Sequence, residues 1–144
     1  GYAFAYCTGL TSVTIPDSVT RIGYRAFTDC TGLTKVTISD GVTSIGEDAF
    51  ESCTSLTSII IPDSVTSIER YSFRGCTGLT SVTIGSGVKS IADSVFDGSS
   101  ELTSITYNGT IEQWKAIYKW KDWNSNTGNY VVHCTDGDIS KANS

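Results

Sequence analysis

Residues 27–33 read FTDCTGL, and close copies occur as FAYCTGL at 4–10, FESCTSL at 50–56 and FRGCTGL at 73–79. The copies lie 23 residues apart, and the apolar positions around them keep the same interval. The series are Phe4, Phe27, Phe50, Phe73 and Phe96; Leu10, Leu33, Leu56, Leu79 and Leu102; and Ile15, Ile38, Ile61 and Ile84, continued by Tyr107. A fixed period without insertions predicts a stacked repeat structure.

Each repeat unit contains the pattern L-x-x-V-x-I, then a turn spelled PDS, SDG, PDS or GSG, then a second short stretch V-T-x-I. The alternation of the first pattern predicts a short strand with its valine and isoleucine facing inward. The A-F-x-x-C stretch that closes the coil is too short for more than a helical turn or a 3₁₀ segment. One coil cannot bury its own apolar face, but stacked coils bury a continuous core.

The unit AFxxCtxLtxVtIPdsVtsIg resembles the BspA-type leucine-rich repeat of bacterial surface proteins, and the resemblance covers roughly residues 1–107. It implies a right-handed leucine-rich-repeat solenoid with a parallel sheet of short strands on its concave side and short turns or 3₁₀ segments elsewhere. Family members are generally secreted or on the cell surface, and several bind host proteins or other cells. The resemblance therefore implies a secreted or cell-surface bacterial protein.

The repeat pattern divides the chain into a solenoid, residues 1–107, and a C-terminal capping segment, residues 108–144. In the cap, Thr110 and Gln113 fit the capping box of a helix start. Four apolar residues predict a stripe on about two turns of helix: Ile111, Trp114, Ile117 and Tyr118. The stretch YVVHC, residues 130–134, predicts a closing strand, and the segment resembles the C-terminal part of such repeats in secreted proteins of gut bacteria. The chain starts directly in a coil without a Met, so we expect an upstream cap or further repeats.

The net charge is −5, and the ten Lys and Arg residues are scattered along the chain. This distribution argues against a nucleic-acid partner. No stretch approaches the roughly 18 apolar residues of a membrane span, so we expect no membrane insertion. We expect a monomer or a part of a longer repeat chain.

A cysteine recurs at one height of successive coils: Cys7, Cys30, Cys53 and Cys76. Neighbouring strands lie about 4.8 Å apart, a separation that disulfides tolerate, so distance alone does not exclude pairing. Parallel side-chain directions argue against it, and the fifth repeat has Ser99 at this position. We favour buried free thiols. A disulfide and a metal site remain open alternatives, the latter weakened by the lack of a CxxC motif or nearby histidines.

No arrangement of residues predicts catalysis. His133 is the one histidine, and its neighbour Cys134 would point to the opposite face of a strand. The stretch GSGVKS, residues 85–90, aligns with PDSVTS, residues 62–67, and is a repeat turn rather than a phosphate loop. The stretch TDGD, with Asp136 and Asp138, is typical of a turn and falls short of a calcium loop. We therefore expect no enzyme activity and no cofactor.

Three surfaces are candidates for binding. The first is the outward face of the main strands, where Lys35 and Ile60 interrupt a row of hydroxyls: Ser12, Thr14, Lys35, Thr37, Ser58, Ile60, Ser81 and Thr83. The second is an aromatic and basic edge beside the phenylalanines, the Tyr/Arg edge, formed by Tyr24, Arg25, Arg70, Tyr71 and Arg74. An acidic patch lies between its members and consists of Asp29, Glu47, Asp48 and Glu51. The third is a carbohydrate-stacking pair in the cap: Trp120 and Trp123.

These patterns favour a non-enzymatic binding or adhesion module that recognises a host or neighbouring-cell surface protein through its concave face or its edge. Two alternatives stay open. One is a carbohydrate-binding module that uses the cap tryptophans, with a glycan as partner. The other is an architectural spacer that only displays something else.

Overall fold

A computed structural model describes all 144 residues as five stacked coils followed by a C-terminal segment. Each coil contributes one long strand of four residues, and coils 1 to 5 are numbered by these strands. Strands are labelled in chain order, the long ones being β1 (Ser12–Ile15), β3 (Lys35–Ile38), β5 (Ser58–Ile61), β7 (Ser81–Ile84) and β9 (Ser104–Tyr107). The short strands are β2 (Arg21–Ile22), β4 (Ser44–Ile45), β6 (Ser67–Ile68), β8 (Ser90–Ile91) and β10 (Tyr118–Lys119). The predicted solenoid of short parallel strands is confirmed.

The strands form two rows along the solenoid. The short strands make one continuous five-stranded parallel sheet in the order β10-β8-β6-β4-β2. The long strands pair in the register set by the 23-residue period, with Val13 opposite Val36 and Ile59 opposite Val82. Their row is interrupted once: β1 pairs with β3, and β5 pairs with β7 and β7 with β9, but β3 and β5 do not pair.

The C-terminal segment covers the last coil with a helix and a hairpin. Helix α1 (Ile111–Ala116) begins with the predicted capping box, in which the Gln113 N–H donates to Thr110 Oγ1 and the Thr110 N–H donates to Gln113 Oε1. Strand β11 (Val131–Cys134) pairs with β9, as the predicted closing strand should. The chain then turns into β12 (Gly137–Ser140), antiparallel to β11, and ends in a 3₁₀ turn (Lys141–Asn143). The boundary at residue 107 stays a prediction.

Two expectations about the cap are wrong. The helix has six residues, fewer than two turns, because the chain leaves it at Ile117 in an extended conformation. Tyr118 therefore lies in β10 rather than on the apolar stripe, and 62% of it is exposed.

The TDGD stretch forms the turn of the hairpin, where Asp136 Oδ1 accepts a hydrogen bond of 2.8 Å from the Ile111 N–H.

One phenylalanine of each coil stacks on the next, and their rings form a column through the core. The ring centroids are 5.2–5.7 Å apart and the planes are nearly parallel. Trp123 ends the column edge-on against Phe96, at 6.4 Å between centroids. It also contacts Trp114 and Tyr130, and all three are buried. The cap thus covers the last ring of the column.

The cysteines form no disulfide bond, and three of them are buried free thiols: Cys30, Cys53 and Cys76. The Sγ of Cys53 donates to the Phe27 carbonyl of the preceding coil at 3.2 Å, and Cys76 donates to Phe50 in the same way at 3.1 Å. Cys30 repeats the contact with the Phe4 carbonyl. Each thiol thus points at a backbone oxygen rather than at another thiol. Cys7 is exposed because no coil precedes its own in the structure, so the expectation of burial is wrong there.

Two backbone positions in each coil adopt a left-handed conformation, which the repeat pattern alone did not predict. One row comprises Tyr2, Arg25, Asp48, Tyr71 and Ser94, and the other Tyr6, Asp29, Ser52, Gly75 and Gly98. Residues with a side chain seldom adopt positive φ, so the turns on either side of each phenylalanine carry a local cost. Only Gly75 and Gly98 avoid it.

Candidate binding surfaces

The first predicted surface is a continuous row of outward side chains, and we call it the long-strand face. Six of the eight predicted residues are exposed and two are half-buried: Ser12, Thr14, Lys35, Thr37, Ser58 and Ile60, then Ser81 and Thr83. The residues between them, such as Val36 and Ile38, point inward and are buried. Ile60 is 65% exposed although it is aliphatic. The structure therefore brings these residues together on one face.

The long-strand face opens between coils 2 and 3. Between coils 3 and 4, the Thr80 N–H donates to the Thr57 carbonyl and the Gly85 N–H donates to the Ile61 carbonyl, both at 2.8 Å. Between coils 2 and 3, the N–H donors at the corresponding positions would be those of Thr57 and Pro62. The Thr57 N–H has no backbone partner, and proline has no N–H to donate.

A groove of about 240 Å³ lies at this opening, and we call it the β3–β5 slit. It is lined by Thr34, Lys35, Val36, Thr37, Ile38, Ser58, Ile59 and Ile60. Elsewhere coils 2 and 3 are in close contact: the Thr66 N–H donates to the Thr43 carbonyl at 2.8 Å, and the Phe27 and Phe50 rings are 5.2 Å apart. The slit is therefore local to the long-strand face.

The second predicted surface is an ion-pair network rather than separate basic and acidic patches. Arg25 Nε lies 3.5 Å from Asp48 Oδ2, and Arg74 Nε donates to Glu51 Oε1 at 3.1 Å. Each of these pairs spans 23 residues, one coil to the next. Arg70 lies 3.7 Å from Glu47 in the same manner. The arginines of this Tyr/Arg edge are thus largely neutralised by the carboxylates of coil 3, so the predicted basic patch is corrected.

Aromatic rings complete the Tyr/Arg edge. The Arg70 and Arg74 guanidinium carbons lie 4.5 Å and 4.1 Å from the Tyr71 ring centroid, which suits cation–π contacts. The side chain of Asp48 is 7% exposed. Burial raises the pKa of Asp48, and the neighbouring Glu51 adds to the rise, while Arg74 and Arg25 oppose it. Tyr24 is 45% exposed at this edge.

The third predicted surface does not exist as a pair, because Trp123 is 5% exposed under the cap. Trp120 is 44% exposed, and the Tyr118 ring meets it edge-on at 4.5 Å. Trp120 lines a shallow cleft of about 340 Å³ beside the short-strand sheet, and we call it the Trp120 cleft. The other lining residues are Ile68, Glu69, Arg70, Ser90, Ala92 and Asp93.

Lys119 has no signal in the repeat pattern and stabilises the end of helix α1. Its Nζ donates to the Trp114 carbonyl at 2.7 Å and to the Ile117 carbonyl at 3.3 Å. The Trp114 carbonyl also accepts from the Ile117 N–H at 3.2 Å, and a cation near the last carbonyls of a helix is favourable. Burial lowers the pKa of Lys119 to about 8. Its hydrogen bonds are those of a structural lysine.

The remaining polar residues form no site. His133 Nδ1 lies 2.9 Å from Asp138 Oδ1 across the hairpin, and both side chains are well exposed. No group of three or more His, Cys, Asp or Glu residues is placed to hold a metal ion. The structure contains no helix with the length and apolar character needed to cross a membrane.

Two features of the surfaces have signals in the sequence. The 23-residue offset of Arg25 from Asp48 and of Arg74 from Glu51 places each pair in neighbouring coils at one height. In coil 4, the Gly85 N–H donates a hydrogen bond to the preceding coil, and Pro62 stands at the corresponding position of coil 3. The width of the slit itself had no signal in the residue types.

Comparison with known proteins supports the fold and the repeat. Six copies of the BspA type leucine rich repeat region match residues 1–118. A leucine-rich repeat protein from Bacteroides ovatus is 32% identical, with a TM-score of 0.70 over 88% of this chain and 31% of that one. A leucine rich cell surface protein from Faecalibacterium prausnitzii is 34% identical, with a TM-score of 0.58 over 74% of this chain and 34% of that one.

A more distant structure, the pneumococcal vaccine antigen PcpA, shares the fold at 18% identity, with a TM-score of 0.72 over 93% of this chain and 38% of that one. The chain thus spans about a third of the length of these three structures. The search among curated proteins gave no match. The 23-residue coils, the stacked phenylalanines and the family match over most of the chain lead to one conclusion: this chain belongs to the BspA-type leucine-rich repeat family.

Proposed function

We propose that the chain is a non-enzymatic binding module of a secreted or cell-surface bacterial protein, and that it recognises a protein of a host or a neighbouring cell. The observation that carries the proposal is the long-strand face, where a regular hydroxyl row is broken by an exposed Ile60 and a Lys35 without an ion-pair partner. Solenoids offer such extended surfaces to partners.

The long-strand face fits this role better than the Tyr/Arg edge. At the edge, the guanidinium groups already contact carboxylates and the Tyr71 ring, so a partner would have to replace existing contacts. On the long-strand face, the Lys35 ammonium and the Ile60 side chain make no such contacts. The surface location is supported by the F. prausnitzii structure, which is described as a cell surface protein.

A direct test measures binding of the purified chain to immobilised extracellular-matrix proteins, mucin and surface proteins of other gut bacteria by biolayer interferometry. We expect saturable binding to at least one protein and a loss of at least about fivefold in affinity for Lys35→Glu, since a charge of the wrong sign at an interface is costly. Lys89→Glu, at an exposed lysine directly before β8, is the matched control. If binding is unaffected by Lys35→Glu but lost in Tyr71→Ala, the binding site is the Tyr/Arg edge rather than the long-strand face.

The Trp120 cleft supports a second candidate function, carbohydrate binding. An exposed aromatic ring beside carboxylates and a guanidinium group is suited to a sugar, whose apolar face stacks on the ring while its hydroxyls meet polar groups. Here Glu69, Arg70 and Asp93 lie in the cleft with Trp120. Carbohydrate binding at the cap therefore depends on Trp120 alone, since Trp123 is buried.

A glycan array separates the two functions. Carbohydrate binding requires signals that disappear in Trp120→Ala and persist in Tyr118→Ala and Lys35→Glu. If neither the glycan array nor the protein panel gives saturable binding, the architectural spacer is favoured over both binding functions.

A further inference from the structure

We propose that the β3–β5 slit receives an acidic side chain from an extended or loop segment of the partner protein. The inference rests on the protein-binding function proposed above, and it deepens that function by naming the chemistry that is recognised.

Two departures from the repeat lie at the slit, and a proline lies just beyond it. Among the outward residues of the five long strands, Lys35 is the single charged side chain and Ile60 the single aliphatic one. Lys35 belongs to β3 and Ile60 to β5, so they occupy opposite sides of the opening. Pro62 follows β5 and removes a hydrogen-bond donor between the same two coils. Independent departures at one place mark it as different from the rest of the face.

The size of the slit limits what it can hold. Its volume of about 240 Å³ is below the roughly 300–1,000 Å³ of pockets that enclose a whole small ligand. An inserted strand would need the coils about 9.6 Å apart, twice the usual strand spacing. The Phe27 and Phe50 rings hold coils 2 and 3 together at 5.2 Å between centroids. One side chain of a partner fits these limits.

The groups around the slit favour an anion. In coil 4, Thr80 and Ser81 both donate their N–H to Thr57. The corresponding donors of coil 3, Thr57 and Ser58, make no backbone hydrogen bond to coil 2. These N–H groups are free to donate to a partner, and the Lys35 ammonium, which forms no ion pair within the chain, is free to pair with an anion.

A carboxylate suits both kinds of group at once, because it accepts several hydrogen bonds and carries the complementary charge. Ile60 would pack against an aliphatic residue beside it in the partner. The chain carries a net charge of −5, so the attraction is local to Lys35 and not a property of the whole surface. We therefore expect selectivity for an acidic residue next to an apolar one.

The test uses capped pentapeptides with a central glutamate flanked by valine and threonine, and matched peptides with glutamine or lysine at the centre. Titration into the ¹⁵N-labelled chain is followed by NMR. We expect saturable shifts confined to the amides of residues 34–38 and 57–60 for the glutamate peptide. The glutamine peptide should bind about fivefold more weakly and the lysine peptide not at all, since charge-assisted hydrogen bonds are lost.

Variants locate the effect. Lys35→Gln should weaken the glutamate peptide about fivefold and leave the glutamine peptide unchanged, because only the charged pair is removed. Lys89→Gln is the control of equal charge change. Thermal unfolding of each variant verifies that the fold is kept.

The proposal is overturned if the glutamate and glutamine peptides bind equally, if the shifts lie outside the slit, or if no saturation occurs at millimolar concentration. Its failure is distinguishable from that of the proposed function. Binding of a panel protein that survives Lys35→Gln and Ile60→Thr keeps the function and rejects the slit. Glutamate-selective binding at the slit without any panel partner keeps the slit and rejects the choice of panel partners.

Discussion

The two ends of the phenylalanine column differ although the rings within it are stacked at nearly equal distances. At the first coil Phe4 is 48% exposed and lines an apolar groove of about 330 Å³ with Val13, Val19 and other core-type residues. At the last coil Phe96 is fully buried, because Trp123 lies over it. Within residues 1–144, the same repeat position is thus half-exposed in one coil and buried in another. Burial by neighbours, rather than residue type, decides what each position contributes to stability.

The largest contrast is expected between Phe50 and Phe4. Phe50→Ala leaves a cavity between two stacked rings and should lower the free energy of unfolding by about 3–5 kcal/mol. Phe4→Ala removes a half-exposed ring and should lower it by about 1 kcal/mol. Urea denaturation followed by circular dichroism measures both. Equal losses would show that stacking within the column, and not burial, sets the contribution of each ring.

The tryptophans of the cap extend the contrast. Trp123→Ala uncovers Phe96 and should cost about 3–4 kcal/mol, since a fully buried aromatic side chain is lost. Trp120→Ala should change the free energy of unfolding by less than about 0.5 kcal/mol, because surface substitutions seldom matter. Denaturation of both variants in parallel provides the measurement. A large loss for Trp120→Ala would mean that β10 depends on its contact with Tyr118.

The carboxylates of the Tyr/Arg edge provide a smaller contrast. The Glu51 side chain is 14% exposed and contacts Arg25 and Arg74, so Glu51→Gln should cost about 1–3 kcal/mol by leaving their charges less well paired. Glu47 is 42% exposed beside Arg70, and Glu47→Gln should cost at most about 0.5 kcal/mol. Thermal denaturation at low and high salt tests this. A salt-sensitive loss for Glu51→Gln would place that pair at the surface instead.

The buried thiols make the free energy of unfolding depend on pH above neutrality. Burial raises the pKa of Cys53 from 9.0 to about 12. Below pH 9 the thiol is protonated in both states and its contribution is fully present. Between pH 9 and 12 the unfolded state loses this proton and the folded state keeps it, so the free energy of unfolding falls by about 1.4 kcal/mol per pH unit for this thiol.

A comparison of two alanine variants isolates the effect. Cys53→Ala should make the alkaline fall in stability less steep, since burial also raises the pKa of Cys30 and Cys76 and these thiols still contribute to it, whereas Cys7→Ala, at an exposed position, should leave it unchanged. Urea denaturation at several pH values between 8 and 11 is the measurement. An identical pH dependence in Cys53→Ala and the parent chain contradicts the expectation.

The fold could be predicted from the sequence because each repeat position keeps one orientation, inward or outward, from coil to coil. The series of Phe27, Leu33 and Ile38 specifies inward positions, and the exact interval specifies stacking. The capping box and the closing strand also have local signals. Strand β12 had none, since GDIS lacks the alternation of a buried strand and is held by its pairing with β11.

The surfaces could be predicted only in part. The period places Thr14, Thr37 and their counterparts on one face without further information. It cannot tell that Trp123 is buried while Trp120 is exposed, because both lie after the last repeat, where no register applies. Nor does it predict the slit, which results from the absence of hydrogen bonds that residue types alone do not specify.

The arrangement of the coils also determines how the chain would respond to tension. Each coil is held by its two neighbours, so a molecule pulled by its ends should release length one coil at a time. A released coil of 23 residues adds about 80 Å of extended chain. The boundary between coils 2 and 3 lacks the hydrogen bonds of one strand row and should separate at the lowest force. Under load, a solenoid built in this way would therefore lengthen in steps rather than unfold all at once.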